Sequence, residues 1–194
     1  MYLHHYFNSE NGPFLSISDL PPNEAFIAFH KMVRFLTERD GEEYNPNDAK
    51  WDFILNRHKL RCDLESEMRR RFIQKNGTAP REHPYYLILS LSSVKDKALY
   101  AFFENPDYIS IPVEDLDMNT VSFTFGDSFV QYYHTGENPE IVYTYAEILE
   151  VIKESGWVTK DENDWGFIEA HLWSDEQISK YRKLCGKKLN MPCV

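Results

Sequence analysis

From Asp52 to Lys75 the chain reads DFILNRHKLRCDLESEMRRRFIQK, and the periodicity of this stretch decides the first half of the fold. Set at about 100° per residue, Asp52, Asn56, Lys59, Asp63, Ser66, Glu67, Arg70 and Gln74 fall in one arc without an apolar member. That arc predicts the wet face of a long helix. The rest of the circumference carries Trp51, Phe53, Ile54, Leu55, Leu60, Cys62, Leu64, Met68, Phe72 and Ile73, so the helix is expected to be covered on more than one side. Asn45-Pro46 supplies an N-cap with proline at the first helical position, and Asn76-Gly77 a left-handed stop after Lys75.

Five charged or titratable residues, Arg57, His58, Arg61, Glu65 and Arg69, share the inward arc. Burying a charge is costly unless it is paired, so these side chains must find partners inside the fold or line a watered cleft. In a functional reading Arg57 and Arg61 hold an anionic group while His58 and Glu65 serve proton transfer, since residues three and four apart are helix neighbours. In a structural reading the cluster is an internal ion network, with Glu65 to Arg69 as one pair and the other arginines answering acids from the second half. The structural reading is preferred, because ion networks bury charge as readily as active sites do.

Working outward, a first helix is predicted over Pro22 to Arg39, with Phe26, Phe29, Val33 and Leu36 on one face and Gly41 after its end. Thr144 and Glu147 make a capping box, flanked by Tyr143 and Ile148 as a hydrophobic staple, and Gly156 ends that helix. Ser174 and Gln177 repeat the pattern with Trp173 and Ile178, and Gly186 closes the last helix. Between these helices lie strand-like runs: Tyr85 to Leu91, Tyr108 to Ile111, Val121 to Phe125, Phe129 to Tyr133 and Phe167 to Trp173, with Gly126-Asp127 as a hairpin turn. The order predicts a single α+β domain over residues 1–194: two N-terminal helices, a mainly antiparallel sheet, and two short C-terminal helices.

A second candidate site lies on the last strand, where period-two alternation puts Phe167, Glu169, His171 and Trp173 on one face. Glu169 and His171 are an acid and a base side by side, though an ordinary half-exposed sheet face has the same pattern. Arg81 and His83, in the loop before the central strand, can add to an anion site or be plain surface.

Composition bounds the rest. Apolar residues make up 42% and charged residues 27% of the 194, as in a folded domain. No apolar run nears the roughly 20 residues that span a bilayer, and the opening residues lack the pattern of a signal peptide, so a cytoplasmic protein without membrane contact is expected. Cys62, Cys185 and Cys193 are too few and scattered for a disulfide framework and are expected to be free thiols. Of the net charge of −10, much is local: Arg57 to Arg81 holds eight bases against three acids, and Glu104 to Glu169 fifteen acids against two lysines. An acidic chain repels phosphate backbones, so nucleic acid is not an expected partner. Adjacent strand residues face opposite ways, so neither His4-His5 nor Tyr132-Tyr133-His134 is assigned a metal. No glycine loop, His-Glu-x-x-His or Gly-x-Ser-x-Gly motif is present, and no cofactor is assigned.

Taken in order, Tyr6-Phe7, Gly12-Pro13-Phe14-Leu15-Ser16, Phe72-Ile73-Gln74-Lys75, His83-Pro84-Tyr85-Tyr86, the run Ser122 to Ser128, and Leu172-Trp173-Ser174-Asp175 are similar to a family of uncharacterised bacterial proteins. The pattern departs from that family at Asn76, where the family has a second glycine, and near Val130, where it has proline. The resemblance implies a bacterial single-domain protein and brings no activity, cofactor or catalytic residue. Two functions are left. One is an interaction module of the inhibitor or immunity type, whose acidic surface meets a basic protein partner; the other is a small hydrolase acting on an anionic small molecule at the Arg/His/Glu cluster.

Overall fold

The computed structural model describes residues 1–45, 52–134, 142–157 and 167–188. Its strands are β1 (Tyr2–Asn8), β2 (Tyr85–Ser90), β3 (Pro106–Pro112), β4 (Val121–Phe125) and β5 (Ile168–Leu172). They form one sheet in the order β3-β1-β2-β5-β4, and every ladder between them is antiparallel. The helices are α1 (Pro22–Arg39), α2 (Asp52–Gln74), α3 (Lys97–Tyr100), α4 (Ser128–His134), α5 (Tyr145–Ser155) and α6 (Asp175–Lys188). The protein is therefore α+β, and none of its described helices is long and apolar enough to cross a membrane.

Register divides the sheet into two unlike faces. Leu3 pairs with Leu89 and Ile111, and Leu89, Leu87 and Tyr85 pair with Ile168, Ala170 and Leu172, so these residues share one side. Ile148 of α5 with Ile178 and Tyr181 of α6 closes over that side and makes the larger core. Burying each large aliphatic residue there contributes roughly 1.5–3 kcal/mol. On the other side the same register aligns Tyr86 with His171, Ser122 with His171, and Thr124 with Glu169. This polar face lies under α2 and α4, whose Leu64, Met68, Phe72 and Phe129 pack with Trp173 in a second, smaller core.

The outer edge at β3 is blunted. Ser9 N–H bonds to Asn105 C=O and Val113 N–H to Met1 C=O, which sets the odd-numbered residues 105–113 to hydrogen-bond with β1. Pro106, Tyr108, Ser110 and Pro112 then present their backbone outward. The two prolines have no N–H, and Tyr108 N–H is taken by the Asp107 carboxylate at 2.8 Å, so of the four outward positions only Ser110 is left to offer an edge donor. At the opposite edge Phe123 and Tyr143 exchange both backbone hydrogen bonds, which covers β4.

Several expectations change. The run Phe129 to Tyr133 is helix α4, not a strand, and Gly126-Asp127 does not turn a hairpin. Asp127 is the cause: its carboxylate accepts Phe129 N–H at 2.9 Å and Val130 N–H at 3.0 Å, the bonds of an N-cap. Phe129, Tyr132 and Tyr133 then fall at helical spacing and pack beside Leu60. β1 carries His4 and His5 and lies outside the predicted strand-like runs, yet it is an interior strand of the sheet, between β3 and β2. Its two histidines do face opposite ways: His4 stacks on Tyr6 and Tyr108, His5 on Phe7 and Phe14.

α1 has its expected span, but its buried residues are Ala25, Phe29 and Thr37, while Phe26 is exposed, because only one side of the helix is covered. α2 ends as predicted. Asn76 takes φ +65°, and the N–H groups of Asn76 and Gly77 return to the carbonyls of Ile73 and Phe72. Gly77 serves packing, since a Cβ there would stand 2.5 Å from the Phe72 ring. α5 carries the full capping box at Thr144 and Glu147 and stops at Gly156, φ +79°. In α6 the Gln177 side chain accepts Asp117 N–H at 3.0 Å, and the helix continues through Gly186 to Lys188. Pro46, Trp51 and Cys193 lie outside the described residues.

Candidate functional site

The inward arc of α2 meets the polar face of the sheet at Glu65, whose side chain is 0% exposed. Helical spacing puts Arg61 one turn back, and its Nε–H donates to Oε1 at 3.1 Å. Period two in β2 turns Tyr86 toward the helix, where its hydroxyl donates to Oε1 at 2.8 Å. The proline-bounded loop before β2 delivers His83, whose Nδ1–H donates to Oε2 at 2.7 Å. A 3-10 turn at Ile17–Asp19 brings the fourth donor, the Ser18 hydroxyl, to 2.8 Å from Oε1. Burial alone pushes the Glu65 carboxyl pKa up, but the bonds from His83, Arg61, Tyr86 and Ser18 outweigh it and hold the group below the usual range. His83 is raised in return, chiefly by its bond to Glu65.

From Arg61 the network continues across the sheet. Its guanidinium lies 4.0 Å from the centre of the Tyr86 ring, and the edge of the Tyr86–His171 pair has ring centres 5.1 Å apart. His171 Nε2–H donates to Glu169 Oε2 at 3.1 Å, and the same oxygen accepts Ser128 N–H at 3.0 Å. Burial opposes the charge on Glu169, yet His171, Ser128 and Arg61 keep its pKa below the ordinary carboxylate range. Asp127 nearby is pushed the other way, by burial and then by the Glu169 charge. Arg57 lies over the Phe129 ring at 4.6 Å. On the far side of His171, the Ser122 hydroxyl sits 3.4 Å from Nδ1 and accepts the Trp173 indole N–H at 2.9 Å.

The structure thus brings Arg57, Arg61, Glu65, His83, Glu169 and His171 into one layer, with Glu65 and His171 buried and the other four partly buried, and leaves two predicted residues outside it. His58 meets Cys62 Sγ of its own helix at 3.9 Å, and among the described residues it makes no hydrogen bond to the sheet face. Arg81 turns to Asp175 at 2.7 Å and to Asp19, and donates to His83 C=O at 2.8 Å. It lines a separate cleft of about 390 Å³ with Asp19, Glu82, Asp175 and Glu176. Arg69 does not pair with Glu65 as expected; its guanidinium clamps the carbonyls of Ala79 and Arg81, because the chain after Gly77 folds back along the helix. Sequence reasoning missed Ser18, Tyr86, Ser122, Asp127 and Ser128. Tyr86 and Ser122 had a usable signal, since alternation within their strands sets them on the side of Glu169 and His171.

Chemically, Ser122, His171 and Glu169 stand in the order of a nucleophile, a base and an orienting acid. They are closed to substrate: Ser122 and His171 are 0% exposed, and the Trp173 indole occupies the hydroxyl. Among the described residues no group of three or more His, Cys, Asp or Glu is placed to hold a metal ion. No family model matches the sequence, and neither a curated protein nor a solved structure shows significant similarity to it.

Proposed function

We propose that this protein is an acidic interaction module of the inhibitor or immunity type, which meets a basic protein partner through its surface, and that the charges of α2 hold its fold. One observation carries the reading: fully buried Glu65 takes four donors from four parts of the chain, so the inward charge of α2 ends inside the molecule and not in a cleft. The net charge of −10 supports the choice of partner, since such a charge speeds encounter with a basic surface.

The test uses Arg61→Met and Glu65→Leu, singly and together. Each single change strands a buried charge and is expected to destabilise by about 3–5 kcal/mol, with part of the loss recovered in the double variant. Any stabilisation by phosphate should be the same with and without Arg61. Small single losses, together with phosphate stabilisation that vanishes with Arg61, would overturn this reading in favour of an anion-processing enzyme. The partner half of the proposal fails if no basic protein is retained on the immobilised chain at low ionic strength and released by salt.

The line Ser122, His171, Glu169 supports a second reading, a hydrolase. A serine-directed fluorophosphonate probe decides it: stoichiometric labelling lost in Ser122→Ala would favour the enzyme, and no labelling is expected.

A further inference from the structure

The ladder between β1 and β3 pairs Tyr6 with Tyr108 and His4 with Ser110, so His4, Tyr6 and Tyr108 share one side of the sheet. Their rings stack with centres 5.8 to 6.1 Å apart. Two hydrogen bonds tie residues 92–96 across this row: His4 Nε2–H donates to Ser92 C=O at 2.7 Å, and Asp96 N–H donates to the Tyr6 hydroxyl oxygen at 2.8 Å. Tyr100 of α3 then meets Tyr108 edge to face, with ring centres 6.3 Å apart.

Into the corner between Tyr100 and Tyr108 the chain inserts Lys95. Its Nζ lies 3.1 Å from the centre of the Tyr100 ring and 5.9 Å from that of Tyr108. Among the described residues this ammonium makes no hydrogen bond and no ion pair. Lys75 and Lys180 also lie over rings, but each meets a carboxylate as well. Acids are not scarce in this part of the chain: between Arg81 and Lys153 there are twelve, against two bases, Lys95 and Lys97. The π-faces therefore hold the ammonium. His4 in the stacked row adds no opposing charge, since burial lowers its pKa and keeps the ring neutral at neutral pH.

The corner suits another cation better than its own. A primary ammonium carries three N–H donors, and a ring face offers them no lone pair, so Lys95 relies on water at its half-exposed position. A quaternary ammonium has no donor to satisfy, and its methyl groups lose apolar surface to the same faces. Lys95 follows exposed Leu91 and Val94 in its loop, and it leaves the corner at the cost of its ring contacts.

We propose that Tyr100 and Tyr108, with Tyr6 stacked on Tyr108, form an aromatic cage for a quaternary ammonium group, and that Lys95 fills the cage until such a ligand displaces it. The cage shares no residue with the layer around Glu65 and does not rest on the reading of the protein as an interaction module.

The probes are tetramethylammonium, choline and acetyl-trimethyllysine amide, followed by the upfield ring-current shift of their N-methyl protons on titration with the full chain. Saturable shifts are expected at millimolar concentration. Lys95→Ala should tighten binding by about fivefold or more, because it removes the internal competitor. Lys97→Ala removes the same charge from an exposed neighbour and should leave the affinity nearly unchanged. In the Lys95→Ala background, Tyr100→Phe should keep the shift and Tyr100→Leu should lose it, with thermal unfolding of both variants checking that the fold is intact. The neutral carbon isostere of choline, with a tert-butyl group in place of trimethylammonium, should not bind. Tighter binding of choline than of the amide would assign the cage to a free small molecule, and the reverse to a methylated protein side chain. Absence of a saturable shift in Lys95→Ala overturns the proposal. So does an equal gain in Lys97→Ala, or equal binding of the neutral isostere.

Discussion

Glu65 concentrates the physics of this protein in one side chain. A carboxylate with no exposed surface stays ionised because four donors compensate for lost water, and two of them, Arg61 and His83, bring charge of their own. The pair with His83 makes stability depend on pH in a window set by both partners. His83 is raised above 6.5, so its contribution is full below that value and is lost as pH rises through its folded pKa. Glu65 is lowered below 4.5, so its contribution is full above that value and is lost as pH falls through its folded pKa. The difference in urea midpoint between the natural chain and His83→Gln should therefore be largest between the ordinary carboxylate and imidazole values, 4.5 and 6.5, and shrink as pH rises above that window. A difference that is flat across this range would show that the pair does not titrate as a unit.

Among the elements, α5 owes its start to local chemistry. Glu147 Oε2 accepts Thr144 N–H at 2.8 Å while Thr144 Oγ1 receives Glu147 N–H, so two backbone donors are satisfied by two side chains. Thr144→Ala should cost about 0.5–2 kcal/mol, measured by urea unfolding. An unchanged midpoint would mean that the box contributes nothing to the helix. α4 shows how one residue overrides a pattern: aromatic and β-branched residues from Phe129 to Tyr133 favour a strand, and the Asp127 cap together with packing on α2 makes a helix instead. β3 carries the complementary device, with Pro106, Pro112 and Asp107 closing most of the donors that a further strand would need.

The whole molecule is governed by charge distribution. A net charge of −10 works against any polyanion, and the basic residues of α2 are largely committed to carboxylates and carbonyls within the fold. Duplex DNA should not bind at physiological salt in a gel-shift titration. Salt-sensitive binding at micromolar protein would reverse that expectation and make the exposed side of α2 a nucleic-acid surface.

The sequence by itself determined the spans of α1 and α5, the left-handed stop of α2, the antiparallel character of the sheet and the inward placement of Arg61 and Glu65. These follow from short-range spacing and capping, whose causes lie within a few residues of their effects. The pairing of Glu169 with His171 was legible for the same reason, as neighbours two apart on one strand. Only the tertiary structure decided that Arg61 and not Arg69 answers Glu65, that Ser18, His83 and Tyr86 complete the shell, and that His58 and Arg81 stand apart. The contacts of Ser18, His83 and Tyr86 join segments 18 to 47 residues from Glu65, and a buried charge takes whichever donor the packed chain brings within reach, which spacing along one helix does not encode.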